Sequence, residues 1–147
     1  MRLGLALALA TAVATALPAD AGVLDRIRTS GTLNLGYRQD AAPLSYLDEN
    51  KAPAGYTILV CEGVAERLAD QLGVPSLKVE WIETTAADGF DAVAAGKVDI
   101  LCGAATITLT RREKVDFSLP VFVDGAAVIL PKGAPTEFDT LAGKKIG

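Results

Sequence analysis

The feature that most constrains this chain is a change of hydrophobic period that recurs along it. Thr32, Leu33, Asn34, Leu35, Gly36 and Tyr37 alternate polar and apolar, as a strand with one buried face does, and Ala42-Pro43 then breaks the pattern. From Tyr56 the period lengthens. Ile58, Cys61, Ala65, Leu68 and Leu72 stand three or four apart, a single stripe on a helix that stops at Gly73 and Pro75. Residues 77–82 read as a second strand. Thr85 with Asp88 three positions later has the spacing of a helix start, Phe90, Val93 and Ala94 form that helix's apolar side, and Gly96 ends it. Residues 98–102 read as a third strand. Strands separated by helices require crossover connections, which are right-handed and produce a mostly parallel sheet flanked by helices. The fold class is therefore α/β. Ligands of such open sheets sit outside the carboxyl ends of the strands, which directs attention to the loops after Tyr37 and Cys102.

Charge and composition remove several functions. The 147 residues carry 14 Lys and Arg against 18 Asp and Glu, interspersed, so no basic patch favours nucleic acid or anionic lipid. The sequence contains no histidine, which removes imidazole metal sites and any Ser-His or Cys-His nucleophile pair. No metal centre and no cofactor is expected. Phosphate-cradling glycine loops, the G-x-S-x-G elbow and the H-E-x-x-H pair do not occur. Carboxylates adjoin at Asp48-Glu49 and Asp88/Asp91, but in polar segments that suit solvated charges better than acid–base catalysis.

The first residues read as an export signal. Met1 and Arg2 precede an apolar run over residues 3–17, shorter than the roughly 20 residues that span a bilayer, and small residues offer cleavage after Ala16 or Ala21. Residues 1–21 are thus expected to be a signal peptide and the product to be periplasmic. Export changes the reading of Cys61 and Cys102. With no C-x-x-C they support neither a zinc ribbon nor thioredoxin chemistry, and in an oxidising compartment a structural disulfide is the leading expectation, with two separately buried thiols as the alternative.

The segment after Cys102 is rich in hydrogen-bonding groups. Thr106, Thr108 and Thr110 precede Arg111, and Thr110 with Glu113 has capping-box spacing, so a helix start there would gather hydroxyls, free N–H groups and a guanidinium. Such a cluster suits a carboxylate. On spacing alone, a capped helix with a solvated arginine fits as well. Further on, residues 122–130 form an apolar run of strand character, Pro131-Lys132-Gly133 turns it, and residues 141–147 look like the start of another strand.

Taken together, Lys97-Val98-Asp99-Ile100-Leu101-Cys102-Gly103, Thr106-Ile107-Thr108, Arg111 and Asp116-Phe117-Ser118-Leu119-Pro120 resemble the family 3 solute-binding proteins of amino-acid importers. Gly31-Thr32-Leu33, Ala42-Pro43-Leu44-Ser45-Tyr46 and Gly55-Tyr56 extend the resemblance over residues 24–147. The cysteine pair recurs in a subgroup similar to glutamate and aspartate binders. The resemblance implies a periplasmic-binding-protein-like fold, two lobes closing on one amino acid by hinge bending. On that pattern residues 22–130 are the first lobe, residues 131–147 are the crossover and start of the second, and most of the second lobe is missing.

The same resemblance assigns roles. Arg111 grips the ligand α-carboxylate, Thr106 assists it, and Ala104 offers its carbonyl to the α-ammonium group. Arg38 faces the ligand side chain, the basis for expecting an acidic amino acid. Tyr46 is a candidate wall of the cleft, whereas Tyr56 reads as a core residue. Two departures leave Arg38 nearly alone to recognise a distal carboxylate: Asp88-Gly89-Phe90 stands where such binders commonly show Asn-Arg-Phe, which removes a cationic contact and reduces the positive field, and Ala86 stands where some relatives carry a hydroxyl. The implied partners are the amino acid and the membrane permease of an ABC importer, with a monomeric complete protein. The alternatives are an enzyme on the same fold, similar to cyclohexadienyl dehydratases, and the ligand-sensing domain of a receptor.

Overall fold

A computed structural model of the chain describes residues 22–125 and 127–145. The expected signal peptide and its cleavage positions lie outside the described residues, as do Ile146 and Gly147. Two compact units meet in sequence between Asp116 and Phe117.

The first unit opens with helix α1, Val23–Ser30, which the periodicity does not reveal because it buries one side chain only, Ile27. Gly31 ends it in the left-handed region at φ 66°. Strand β1, Thr32–Tyr37, follows as the alternation predicts, with Leu33 and Leu35 fully buried. Next comes a small antiparallel sheet of β2 (Asp40–Ala41), β3 (Ser45–Leu47) and β4 (Pro53–Ala54). Pairs and triplets of residues are too short to show a period.

Helix α2, Tyr56–Leu72, buries Ile58, Cys61 and Ala65, with Leu68 and Leu72 packed beside them, so the predicted stripe is the face turned to the core. Its first N–H groups find acceptors in the preceding loop: Tyr56 donates to the Pro43 carbonyl (3.1 Å) and Thr57 to that of Leu44 (2.9 Å). Gly55 makes this approach possible. Its φ is 122°, and a Cβ there would stand 2.5 Å from the Leu44 oxygen.

Strand β5, Lys78–Glu83, helix α3, Gly89–Ala94, and strand β6, Ile100–Cys102, complete the crossovers. The sheet order is β5-β1-β6, all parallel, and Tyr37 is in register with Glu83 on one side and Cys102 on the other. The three carboxyl ends are therefore flush. The third strand begins later than the apolar run suggests, because the Asp99 side chain replaces part of the ladder. Its carboxylate accepts the Asn34 N–H (2.8 Å) and the Arg26 guanidinium, while its own N–H donates to the Asn34 carbonyl (2.8 Å).

Cys61 on α2 and Cys102 on β6 form a disulfide with Cα atoms 6.2 Å apart, which removes the alternative of two separate thiols. Helix α4, Leu109–Arg112, has four residues. Thr108, not Thr110, caps it: its backbone is extended and its hydroxyl accepts the Arg111 N–H at 3.2 Å. Thr110 lies inside the turn, and Glu113 already closes the helix.

Among its described residues the second unit, by itself, holds one 3-10 helix, Phe138–Leu141. Among the described residues of 122–130 there is no strand, contrary to the apolar pattern. A strand is stable through its ladder, and no described strand pairs with this run. Over its described part, the expected strand start at residues 141–147 is the end of that 3-10 helix followed by a turn and irregular chain. No helix among the described residues is long and apolar enough to cross a membrane.

Candidate functional site

The connection from β1 leads to β5 on one side, and the next crossover returns past β1 to β6 on the other. The strand order reverses between β1 and β6, which is where such sheets open a crevice. A cleft lies there. Arg38 from the end of β1, Thr85 and Phe90 from the β5–α3 region, and Gly103, Ala104 and Arg111 from the segment after β6 line it. Its volume is about 40 Å³, far below the roughly 300–1,000 Å³ of a closed ligand pocket. By itself it is too small to enclose a ligand.

Arg38 is held at both ends. Its backbone N–H donates to the Ser45 hydroxyl (2.9 Å), which donates in turn to the Arg38 carbonyl (2.9 Å), and Ser45 is wholly buried. The β2–β3 hairpin thereby fixes the residue that leaves β1. At the other end, Nε donates to one oxygen of Asp40 (2.9 Å) and Nη2 to the other (3.0 Å). The hydrogen bond from Arg38 holds the Asp40 carboxyl below the usual carboxylate range, and the same bond raises the guanidinium.

Arg111 is aimed by three contacts. Its N–H is capped by Thr108, Nη1 donates to the Thr106 carbonyl (2.7 Å), and its guanidinium lies 4.7 Å from the centroid of the Phe90 ring. A four-residue helix has little dipole, so the local field comes from the guanidinium itself and not from a helix terminus as the capping pattern suggests. Lys114 binds Asp91 at 2.7 Å and ties the end of α4 to α3. On the third side, Thr85 and Asp88 exchange hydrogen bonds, Thr85 N–H to the Asp88 carboxylate (2.7 Å) and Asp88 N–H to the Thr85 hydroxyl (3.3 Å). That lowers the Asp88 pKa, chiefly through the Thr85 N–H.

Of the residues singled out from sequence, Arg38, Ala104 and Arg111 share the cleft, and Thr106 adjoins it through its carbonyl. Tyr46 stands on β3 in register with Asp40 and does not line the cleft. Ser45, Asp40 and the cleft-facing role of Phe90 escape sequence reasoning. The signal for Asp40 is its place two residues after Arg38, whereas nothing local distinguishes Ser45 from a turn serine.

The carboxyl ends of the parallel sheet thus present two arginines and exposed backbone, with no carboxylate among the described lining residues, on an α/β lobe. The model of the bacterial extracellular solute-binding proteins, family 3, matches residues 33–140. The chain belongs to that family. It is 36% identical over 127 residues to the L-glutamate/L-aspartate-binding protein of Pseudomonas aeruginosa, covering 85% of this chain and 42% of that protein. Cyclohexadienyl dehydratase of the same organism is 31% identical over 133 residues, covering 90% of this chain and 47% of the enzyme. Among solved structures, an ancestral cationic amino acid solute binding protein is 39% identical with a TM-score of 0.55, covering 66% of this chain and 39% of that one. The chain thus spans less than half the length of these relatives.

Proposed function

We propose that the protein captures a polar amino acid, acidic ligands foremost, in the periplasm and delivers it to the permease of an ABC importer. The observation that carries this reading is the convergence of Arg38, Arg111 and the Ala104 backbone on one cleft at the flush ends of β1 and β6. Arg111, stacked on Phe90 and braced by Thr106, supplies a planar donor pair suited to the α-carboxylate. Ala104 supplies a carbonyl toward the α-ammonium, and Arg38 faces the side chain. In this reading residues 22–130 are the first lobe, residues 131–147 lead into a second, and closure of the two encloses the ligand. The relative that binds glutamate and aspartate supports an acidic ligand.

The test is a thermal-shift screen of the full-length, two-lobed protein against the amino acids and prephenate, with the 147 residues run beside it. Ligand-linked stabilisation reaches about 2.7 kcal/mol at a hundredfold excess over Kd. Shifts with acidic and amide amino acids are expected. A shift with prephenate alone would favour a second reading, an enzyme like the dehydratase relative.

A further inference from the structure

We propose that Asp40 sets the side-chain specificity of the site by occupying the Nε/Nη2 edge of Arg38, which offsets the charge of the distal subsite and narrows its preference for acidic over amide ligands. This rests on the amino-acid-binding reading above and adds the residue that decides among substrates.

The geometry has three parts. First, the pairing is bidentate: Nε and Nη2 of Arg38 meet the two oxygens of Asp40 at 2.9 and 3.0 Å. That edge of the guanidinium is the one best shaped for a carboxylate, so a ligand's distal carboxylate would compete with Asp40 for it. Second, the pair is held in place. Asp40 lies on β2 in register with Tyr46, and Ser45 on β3 clamps the Arg38 backbone from both sides, so the two side chains face each other across a braced turn. Third, the partners differ in exposure. The Arg38 side chain is 19% exposed and the Asp40 side chain 70%. Asp40 reaches from the solvent rim, so it can be displaced, while Arg38 lines the cleft.

The lowered carboxyl of Asp40 agrees with a pair that stays ionised across the physiological range. An arginine beside a carboxylate presents little net charge. Its remaining N–H groups still donate, and they suit an amide oxygen nearly as well as an anionic one. Removing Asp40 leaves Arg38 with its full charge and its bidentate edge open. Asp40 therefore acts as a positioning residue through Arg38.

The experiment compares dissociation constants of glutamate and glutamine by calorimetry for the full-length, two-lobed protein and for its Asp40→Ala, Asp40→Asn and Asp40→Glu variants, each also with Arg38→Ala. The ratio of the glutamine constant to the glutamate constant is expected to rise about tenfold in Asp40→Ala. Asp40→Asn, which keeps the shape and loses the charge, should follow it, and Asp40→Glu should move back toward the parent. With Arg38→Ala the effect should vanish. A ratio within about twofold of the parent in Asp40→Ala and Asp40→Asn, with glutamine still bound, overturns the proposal and leaves the amino-acid-binding reading standing. A rise that persists with Arg38→Ala also overturns it, since Asp40 would then act on the ligand directly. If the parent binds no amino acid, the functional reading falls and this proposal falls with it.

Discussion

Opening the Cys61–Cys102 disulfide should cost this fold about 4 kcal/mol. The crosslink joins positions 41 apart, from the middle of α2 to the end of β6, and encloses β5 and α3. For a loop of that size the chain-entropy relation gives about 13 cal/mol/K, hence about 4 kcal/mol at room temperature. The closing strand is a neighbour of β1 in the sheet, so in the native state the crosslink joins elements already packed on one core. Its effect therefore falls chiefly on the unfolded chain. Guanidinium denaturation of the oxidised protein, of the reduced protein and of Cys61→Ala/Cys102→Ala tests this. The reduced form keeps both buried sulfurs and reports the crosslink alone. The double alanine variant adds small voids, because the two residues are 7% and 2% exposed, and should lose about 1 kcal/mol more. The denaturant slope should rise as the unfolded ensemble expands. A loss on reduction below about 1 kcal/mol, or an unchanged slope, would refute the reasoning.

Four further outcomes are expected. Arg111→Ala should weaken amino-acid binding by about 3 kcal/mol or more, with Arg111→Lys recovering only part, as read by calorimetry; unchanged affinity would remove Arg111 from the α-carboxylate role. Asp99→Ala should destabilise by about 2–3 kcal/mol in denaturant melts because the Asn34 N–H and Arg26 lose their shared acceptor, and Asp99→Asn should cost less. Gly55→Ala should cost about 2 kcal/mol or more, since φ of 122° and the close Leu44 carbonyl both oppose a side chain; a neutral result in the same melts would show that the loop can shift freely. The depressed pKa of Asp88 means that its stabilising effect is complete above its unfolded value near about pH 4 and fades as pH falls through the lower folded value. Asp88→Asn should then be less stable than the parent at neutral pH and equal to it in strong acid, and a constant difference across that range would contradict the Thr85 contact.

Long elements were legible in the sequence because their periods are long enough to count. Helix α2 shows five stripe positions and β1 a full alternation, and both stand where the pattern puts them. The α/β class, the parallel sheet and the cleft at the ends of β1 and β6 follow from those elements. What stayed hidden was short or tertiary. Helix α1 buries only Ile27, and β2, β3 and β4 hold two or three residues each. The run at residues 122–130 has strand composition, yet composition does not supply a partner strand. In the site, Arg38 and Arg111 stand out by residue type, but the Asp40 contact and the Phe90 stack arise only once β2 and α3 are placed beside them. The cap at Thr108 displaced the one expected at Thr110 because both spacings contain a threonine, and backbone conformation decides between them.

The small antiparallel sheet inserted between β1 and α2 separates two tasks within one lobe. The parallel strands and the disulfide hold the apolar interior, whereas Asp40, Ser45 and the clamp on Arg38 belong to the insertion. Substitution of Asp40, which is exposed, can therefore alter the charge at the cleft rim without disturbing the interior packing. That division leaves the charge at the cleft rim adjustable on a framework held together elsewhere in the chain.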